Sequence, residues 1–539
     1  MSTVMELLDP RGAALDAPAS PARRLPALEG RTILLVDNGK LGAQYGSYGV
    51  IAGELRAGLS GARWRVHAQD LLRLVDHEVE ALAEALAGDA PPDAAVLALA
   101  DAGVSLQTGL LAVALERRGV PTVVVATPLG AGLLQAIFDA AVPGLTPVVL
   151  ETIRTDTQEQ LSGLMAAVLG EVRDRLTSEQ RRPDRAAASR ALAVDGERWS
   201  FAAEHALEEF QDVAESLGLG DGLPLLPPTR RAVEALLAAV PDDPDEVIYG
   251  PAPTSRRSLR VRDVAANAAM TACPPRAFPV VLAALRAMAH RDYRLSQAAI
   301  TTHPAGNAIV FSGPNAGAYG LASGAGCLGP GNRANATVGR AVTLSVISLF
   351  GARPGGADLT AFGSPAEFTY CLAENVEESP WSSLGSELGD GGPGVFVAKM
   401  EAPRNVLEHL ATTPEGICEA LADTATSIGS NNAYVPGDLL LLVNPEHAQI
   451  FHHAGWTRED LALAVYQRAR NPRSRLEGHG VGPIRPSYMA SLEEFPVARS
   501  PRDIHVVVAG GRGPQSMVAL PWGYARGQWQ PIAAREARP

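Results

Sequence analysis

Sulfur is scarce in this chain. Its 539 residues include four cysteines, Cys273, Cys327, Cys371 and Cys418, all in the second half. None forms a Cys-x-x-Cys pair, which points to reduced thiols and a cytoplasmic location rather than to a disulfide framework. Positive charge is also short: Lys and Arg number 46 against 59 Asp and Glu, a net charge of −13. Short Arg clusters near 181–190 and 470–475 do not amount to a polybasic tract, so no nucleic-acid partner and no anionic membrane partner is expected. No uninterrupted apolar run reaches the ~18 residues of a membrane-spanning helix. The opening residues contain acids and Pro and lack a basic region followed by an apolar stretch, so no signal peptide is expected.

What is present is a globular composition, 46% hydrophobic and 19% charged, at a length that can bury a large core. Residues 1–29 read as an irregular arm without period. From 30 to about 177, apolar runs at 32–36, 63–67, 94–99, 121–126 and 146–150 alternate with helical patterns at 46–59, 70–87, 107–118, 129–140 and 156–176. Continuous apolar strands separated by helices predict a doubly wound parallel sheet covered on both faces, in an α/β fold. Ligands of such sheets sit beyond the carboxyl ends of the strands, where Asp37–Lys40, Asp101–Gln107 and Thr127–Gly130 would converge. Residues 178–195 read as a linker. Residues 196–539 predict a larger, less regular α/β domain. Its strand-like runs fall at 307–312, 394–399, 438–443 and 504–509, with helices near 201–217 and at 276–289, 334–349, 415–428, 445–453 and 457–469. The three prolines of Asp221–Thr229 force extended backbone, and Thr229 is placed to cap a following helix.

The run Thr32–Asp37 with its turn Asn38-Gly39-Lys40, and the run Asp93–Leu99 opening into Asp101-Ala102-Gly103-Val104-Ser105, resemble the first half of the UGSC family. That family is named for a selenocysteine-or-cysteine, Gly, Ser, Cys motif in a loop after a strand. It is related to the selenoprotein B components of glycine, sarcosine and betaine reductases. The motif positions here fall on Ala102, Gly103, Val104 and Ser105, and only the Gly is kept. A loop without sulfur or selenium cannot form a selenyl or thiol adduct, so the reductase chemistry implied by the resemblance is lost at this position. The second half resembles the region found fused or adjacent to UGSC-type domains in bacteria. The resemblance lies in Asp221–Thr229, Thr302-His303-Pro304, Ser323–Ala341, and Tyr370–Asn375 running on to Trp381.

Six groups of residues could carry chemistry. The loop Ser323–Asn335 is rich in Gly and opens a helix, so Gly326, Cys327, Gly329, Arg333 and Asn335 could hold an anion, or could form a plain turn with Arg333 in a structural ion pair. The run Glu374-Asn375-Val376-Glu377-Glu378 offers paired carboxylates. Glu374, Glu377 and Glu378 could divide acid and base roles beside Asn375. Alternatively, Glu374 and Glu378 with His303 could hold a divalent metal ion as cofactor; an acidic helix start is the bland alternative. His303 sits before a Pro turn on a plausible pocket lip. Cys371 and Cys327 could be nucleophiles if their thiolates were stabilised, against the commoner role of a small buried hydrophobe. Gly511 and Arg512, after the strand-like run at 504–509 and before an expected short helix, could complete a pocket with the 323–335 loop. In the first domain, Asn38, Lys40, Asp101 and Ser105 form a degenerate site that could bind a small anion.

These readings converge on an enzyme for a small carboxylated or otherwise anionic metabolite, a non-redox lyase or hydratase working by acid–base or metal-assisted chemistry. Two alternatives stay open: thiol-dependent reductive cleavage of a carbon–heteroatom bond, and a non-catalytic scaffold or binding protein. A homo-oligomer is expected for an enzyme of this size.

Overall fold

The computed structural model describes residues 2–14, 17–88, 90–153, 155–178, 197–202, 206–480 and 491–533. The expected linker, apart from Ser178, lies outside the described residues.

The first domain is a five-stranded parallel sheet. Its strands are β1 (Thr32–Asp37), β2 (Arg63–Ala68), β3 (Ala94–Ala100), β4 (Thr122–Ala126) and β5 (Val148–Val149), in the order β2-β1-β3-β4-β5. β3 is buried along its whole length, as a central parallel strand must be. Helices α1 (Ile51–Gly58), α2 (Asp76–Ala87), α3 (Ser105–Arg117), α4 (Pro128–Ala141) and α5 (Gln158–Thr177) cover both faces. α5 opens with a capping box between Thr157 and Gln160, and α4 with Pro128 at its first turn. α3 is buried almost all round, because the second domain lies against the side that the sheet leaves free. Ile300 and Ala357 of the second domain belong to the same apolar cluster as α2, α3 and α4.

The second domain is layered helix, sheet, sheet, helix. One sheet has the order β7 (Cys371–Ala373), β6 (Gly306–Ser312), β8 (Gly394–Met400), β13 (Gln528–Pro531). The other has the order β9 (Arg404–Leu407), β12 (Gln515–Ala519), β10 (Leu439–Val443), β11 (Ile504–Val508). They face each other through Val310, Phe396, Met400, Leu440, Leu442 and Val507. The outer face of the first sheet is covered by α6 (Arg230–Leu237), α7 (Val261–Met270), α8 (Phe278–Ala289) and α9 (Arg333–Phe350). The second is covered by α10 (Pro414–Ala425), α11 (Pro445–His453) and α12 (Arg458–Arg468). Thr229 caps α6, its side chain accepting from Ala232 N at 3.3 Å.

Two expectations are corrected. The N-terminal arm is not irregular: Ser2–Leu7 pairs antiparallel with Glu197–Ala202, and Ala13–Ala14 with Ser258 and Arg257. Backbone pairing requires no periodic apolar pattern, so nothing in the arm's composition announced it. The segment after Gly510–Pro514 is strand β12 rather than a short helix, since the glycines make a connection between β11 and a strand of the same sheet. No described helix is long and apolar enough to cross a membrane.

Candidate functional site

The strand order reverses between β1 and β3, and the loops leaving their carboxyl ends form a crevice there. After β1, the Asp37 carboxylate accepts from Gly39 N at 2.9 Å and Leu41 N at 3.1 Å, an Asx turn that Gly39 completes at φ +96°. The turn throws Lys40 inward, to 3% exposure, with Nζ 3.8 Å from Asp101 and 4.7 Å above the Tyr45 ring. Asn38 is a staple between strands: its amide donates to Leu99 O and Thr108 Oγ1, and its oxygen accepts from Leu99 N. After β3, Gly103 turns at φ +86° into α3. The Ser105 hydroxyl is spent on Asp101 O at 2.9 Å, and no side chain caps the α3 N-terminus.

That uncapped terminus and Lys40 face a cavity of about 240 Å³ whose other wall comes from the second domain. Arg294, Gln297, His303, Trp522 and Tyr524 line that wall. The two domains therefore share one pocket. Polar contacts fix the seam beside it: Gln297 donates to Leu74 O at 2.8 Å, Arg294 to Arg73 O at 2.8 Å, and Ser296 to Asp76 at 2.8 Å.

His303 lies at the lip of this cavity, as its Pro turn suggested, with Nε2 3.2 Å from Glu401 Oε1. Glu401 Oε2 accepts from Arg404 at 2.9 Å and Ser430 at 3.0 Å. Burial would raise the Glu401 carboxyl, but His303, Arg404 and Ser430 together outweigh it and hold the group below the usual carboxylate range. Nε2 and Oε1 are within ion-pair distance but are not aligned as a hydrogen bond, so Glu401 presents its charge to the ring without fixing its tautomer. His303 and Thr301 also border a second, larger cleft of about 1170 Å³ that contains Asp358, Glu367 and Lys399.

The acidic cluster expected from sequence does not assemble. Glu374 is buried at 1% exposure, ion-paired with Arg458 and accepting from Ser312 Oγ and Leu384 N. Glu377 and Glu378 are exposed, and Glu378 meets Arg512 at 3.3 Å on the surface. The proposed metal trio of Glu374, Glu378 and His303 is thus split among three different partners. Among the described residues no three His, Cys, Asp or Glu side chains group as a metal site.

The 323–335 loop is likewise internally satisfied. Arg333 forks onto Ala272 O at 3.1 and 2.7 Å. Asn335 donates to Ala322 O and Cys327 O and accepts from Ala322 N, and Gly329 N closes a turn onto Gly326 O. The two Gly-rich loops do meet, but by packing. A Cβ on Gly511 would lie 2.7 Å from Ala325 Cβ, and Gly510 N donates to Ser323 O at 2.8 Å. Asn375 ties in from β7, its backbone N donating to Val508 O at 2.8 Å. Cys371 and Cys327 are buried, and burial pushes both thiols up, away from the reactive thiolate.

One sequence signal went unread. Of the 46 basic residues only two are lysine, Lys40 and Lys399, and each lines one of the two cavities that meet at His303. Unlike a guanidinium, the compact ammonium of lysine can shed its proton when it is drawn out of water.

No curated protein and no solved structure matches the chain. The family model that does match is that of the UGSC family, over residues 6–178. With the doubly wound sheet and the Ala102–Ser105 loop at its point of strand reversal, this match makes the first domain of the chain a UGSC-family domain.

Proposed function

We propose that the protein is an enzyme that binds a small carboxylated metabolite in the cavity between its domains and acts on it by acid–base chemistry, as a lyase or hydratase does. The observation that carries this reading is the composition of the cavity. Lys40, Arg294 and the uncapped N-terminus of α3 converge on it from both domains and favour a negative group. A volume of about 240 Å³ suits a small metabolite. His303, with the Glu401 carboxylate 3.2 Å from its ring, supplies a proton acceptor on the cavity wall, and the loop that would carry redox chemistry presents Ala102 and Ser105 instead of sulfur or selenium.

The test has two parts. Small mono- and dicarboxylates are screened by thermal shift against the full chain and against Lys40→Met. The reading expects at least one acid that stabilises the parent protein and not the variant. Solvent deuterium incorporation into that acid is then followed by NMR, and His303→Ala is expected to slow it by about 10²–10⁴-fold, the usual contribution of a positioned base. Exchange at the parental rate in His303→Ala would remove His303 from the mechanism, and stabilisation that survives in Lys40→Met would remove the cavity.

A further inference from the structure

Lys399 occupies a position where the strand pattern calls for an apolar side chain. Along β8, Val395 and Val397 point into the helix-covered core, and Lys399 is next on that face. Its cross-strand neighbour in β6 is Asn307, whose side-chain oxygen accepts from the Tyr293 hydroxyl at 2.7 Å. The amine thus rises from the floor of the sheet into the large cleft rather than from the surface.

Of the carboxyls that line that cleft, Asp358 and Glu367 are the two whose charge reaches Lys399. Glu367 is held by its own turn, accepting from Ser364 N at 2.9 Å, and the turn comes this close because Gly306 has no side chain: a Cβ there would lie 2.2 Å from Ala366 O. Asp358 accepts from Thr360 N at 2.9 Å. Among the described residues neither carboxyl, nor any other group, forms a hydrogen bond or ion pair with the Lys399 ammonium, and Arg353 in the same cleft is likewise unpaired. An ammonium drawn out of water without a partner is costly, and an amine relieves that cost by losing its proton. Burial pulls Lys399 down to about 8, with Glu367 and Asp358 offsetting part of the fall. Burial also lifts both carboxyls.

We propose that Lys399 is a reactive amine that condenses, in the cleft it shares with Asp358 and Glu367, with an oxo acid whose carboxylate is taken by Arg353. The Nζ lone pair adds to the carbonyl carbon, and the carbonyl oxygen takes a proton to give a carbinolamine. Nζ then loses one proton, the hydroxyl takes a second and leaves as water, and Nζ gives up its remaining proton, so that a neutral C=N bond remains. Amine and carbonyl become imine and water, with no change in oxidation state. Asp358 and Glu367, the two carboxyls whose charge reaches Lys399, are able to give and take these protons. The site is distinct from the interdomain cavity and does not depend on the function proposed for it.

The small number of lysines makes the test direct. The full chain is treated with glyoxylate and sodium cyanoborohydride, which fixes an imine as a stable secondary amine, and the products are mapped by peptide mass spectrometry. Lys40, Lys399 and the N-terminus are the amines in play, so each adduct reports one position. Lys399 is expected to react at least about tenfold faster than Lys40 at neutral pH, given the larger neutral fraction of an amine that titrates low. Its rate should level off above about pH 8. Modification no faster than that of Lys40, or a rate still climbing at an ordinary lysine pKa of about 10.4, overturns the proposal. Arg353→Met is expected to slow trapping of glyoxylate severalfold while leaving trapping of acetaldehyde unchanged. An equal effect on both overturns the oxo-acid assignment.

Discussion

Glu374 shows how one carboxylate can look catalytic in sequence and be structural in the fold. It is sealed between β6, the start of the helical turn at Leu384, and α12, with Arg458 as its counter-charge. Removing one partner of a buried pair strands the other. Glu374→Ala is therefore expected to cost about 3–5 kcal/mol of stability, read from urea unfolding, with activity per folded molecule retained. A stable but inactive Glu374→Ala would return this residue to the active site. Its burial was not legible because three acids in five residues read the same whether solvated or enclosed. What sets Glu374 apart is Arg458, 84 positions away. His303 was legible, since a histidine before a Pro turn after an apolar run sits where a pocket lip forms. Lys399 was not read, although an odd-numbered Lys continuing Val395 and Val397 is a local conflict between pattern and burial, and such conflicts mark sites.

At the scale of elements, the doubly wound strands announced themselves because a central parallel strand is apolar on both faces, as Ala94–Ala100 is throughout. α7 (Val261–Met270) escaped notice for the converse reason. It is rich in Ala, is buried on nearly every side and has no polar stripe to reveal a period. The Gly-rich loop before α9 was visible as a loop, but its purpose was not. It reads as an anion cradle only while the partners of Asn335 are unknown, and those partners are the loop's own backbone at Ala322 and Cys327. Asn335→Ala leaves Ala322 N and Cys327 O without a partner and Ala322 O with Ala373 N alone, so a loss of roughly 2–4 kcal/mol is expected. Amide exchange should accelerate first across 322–329. Unchanged exchange there would mean that the helix start, not the side chain, holds the loop.

For the whole molecule, the consequential feature is the seam between the domains. Ile300 and Ala357 complete the core of a domain far from them in sequence, and the arm at Ser2–Leu7 and Ala13–Ala14 crosses back to the second domain before the first begins. Residues on either side of the expected linker are thus tied to each other by apolar contacts and strand pairing. Asp76, at the start of α2, makes this measurable. It accepts from Ser296 across the seam, and burial there raises its carboxyl despite that hydrogen bond and the nearby charges of His77 and Arg294. A carboxyl raised in the folded state stabilises fully only below its unfolded value, about 3.9, and that contribution is lost as pH rises through the folded value. Asp76→Asn cannot ionise and keeps an oxygen for Ser296. The variant should match the parent protein near pH 4 and exceed it in melting temperature at neutral pH. In calorimetry both proteins should show one transition, because the Ile300 contact and the Asp76 hydrogen bond are lost together when either domain opens. Two resolved transitions, with Asp76→Asn shifting only the one that belongs to the first domain, would show that the domains unfold separately and that the cavity between them is not rigidly held.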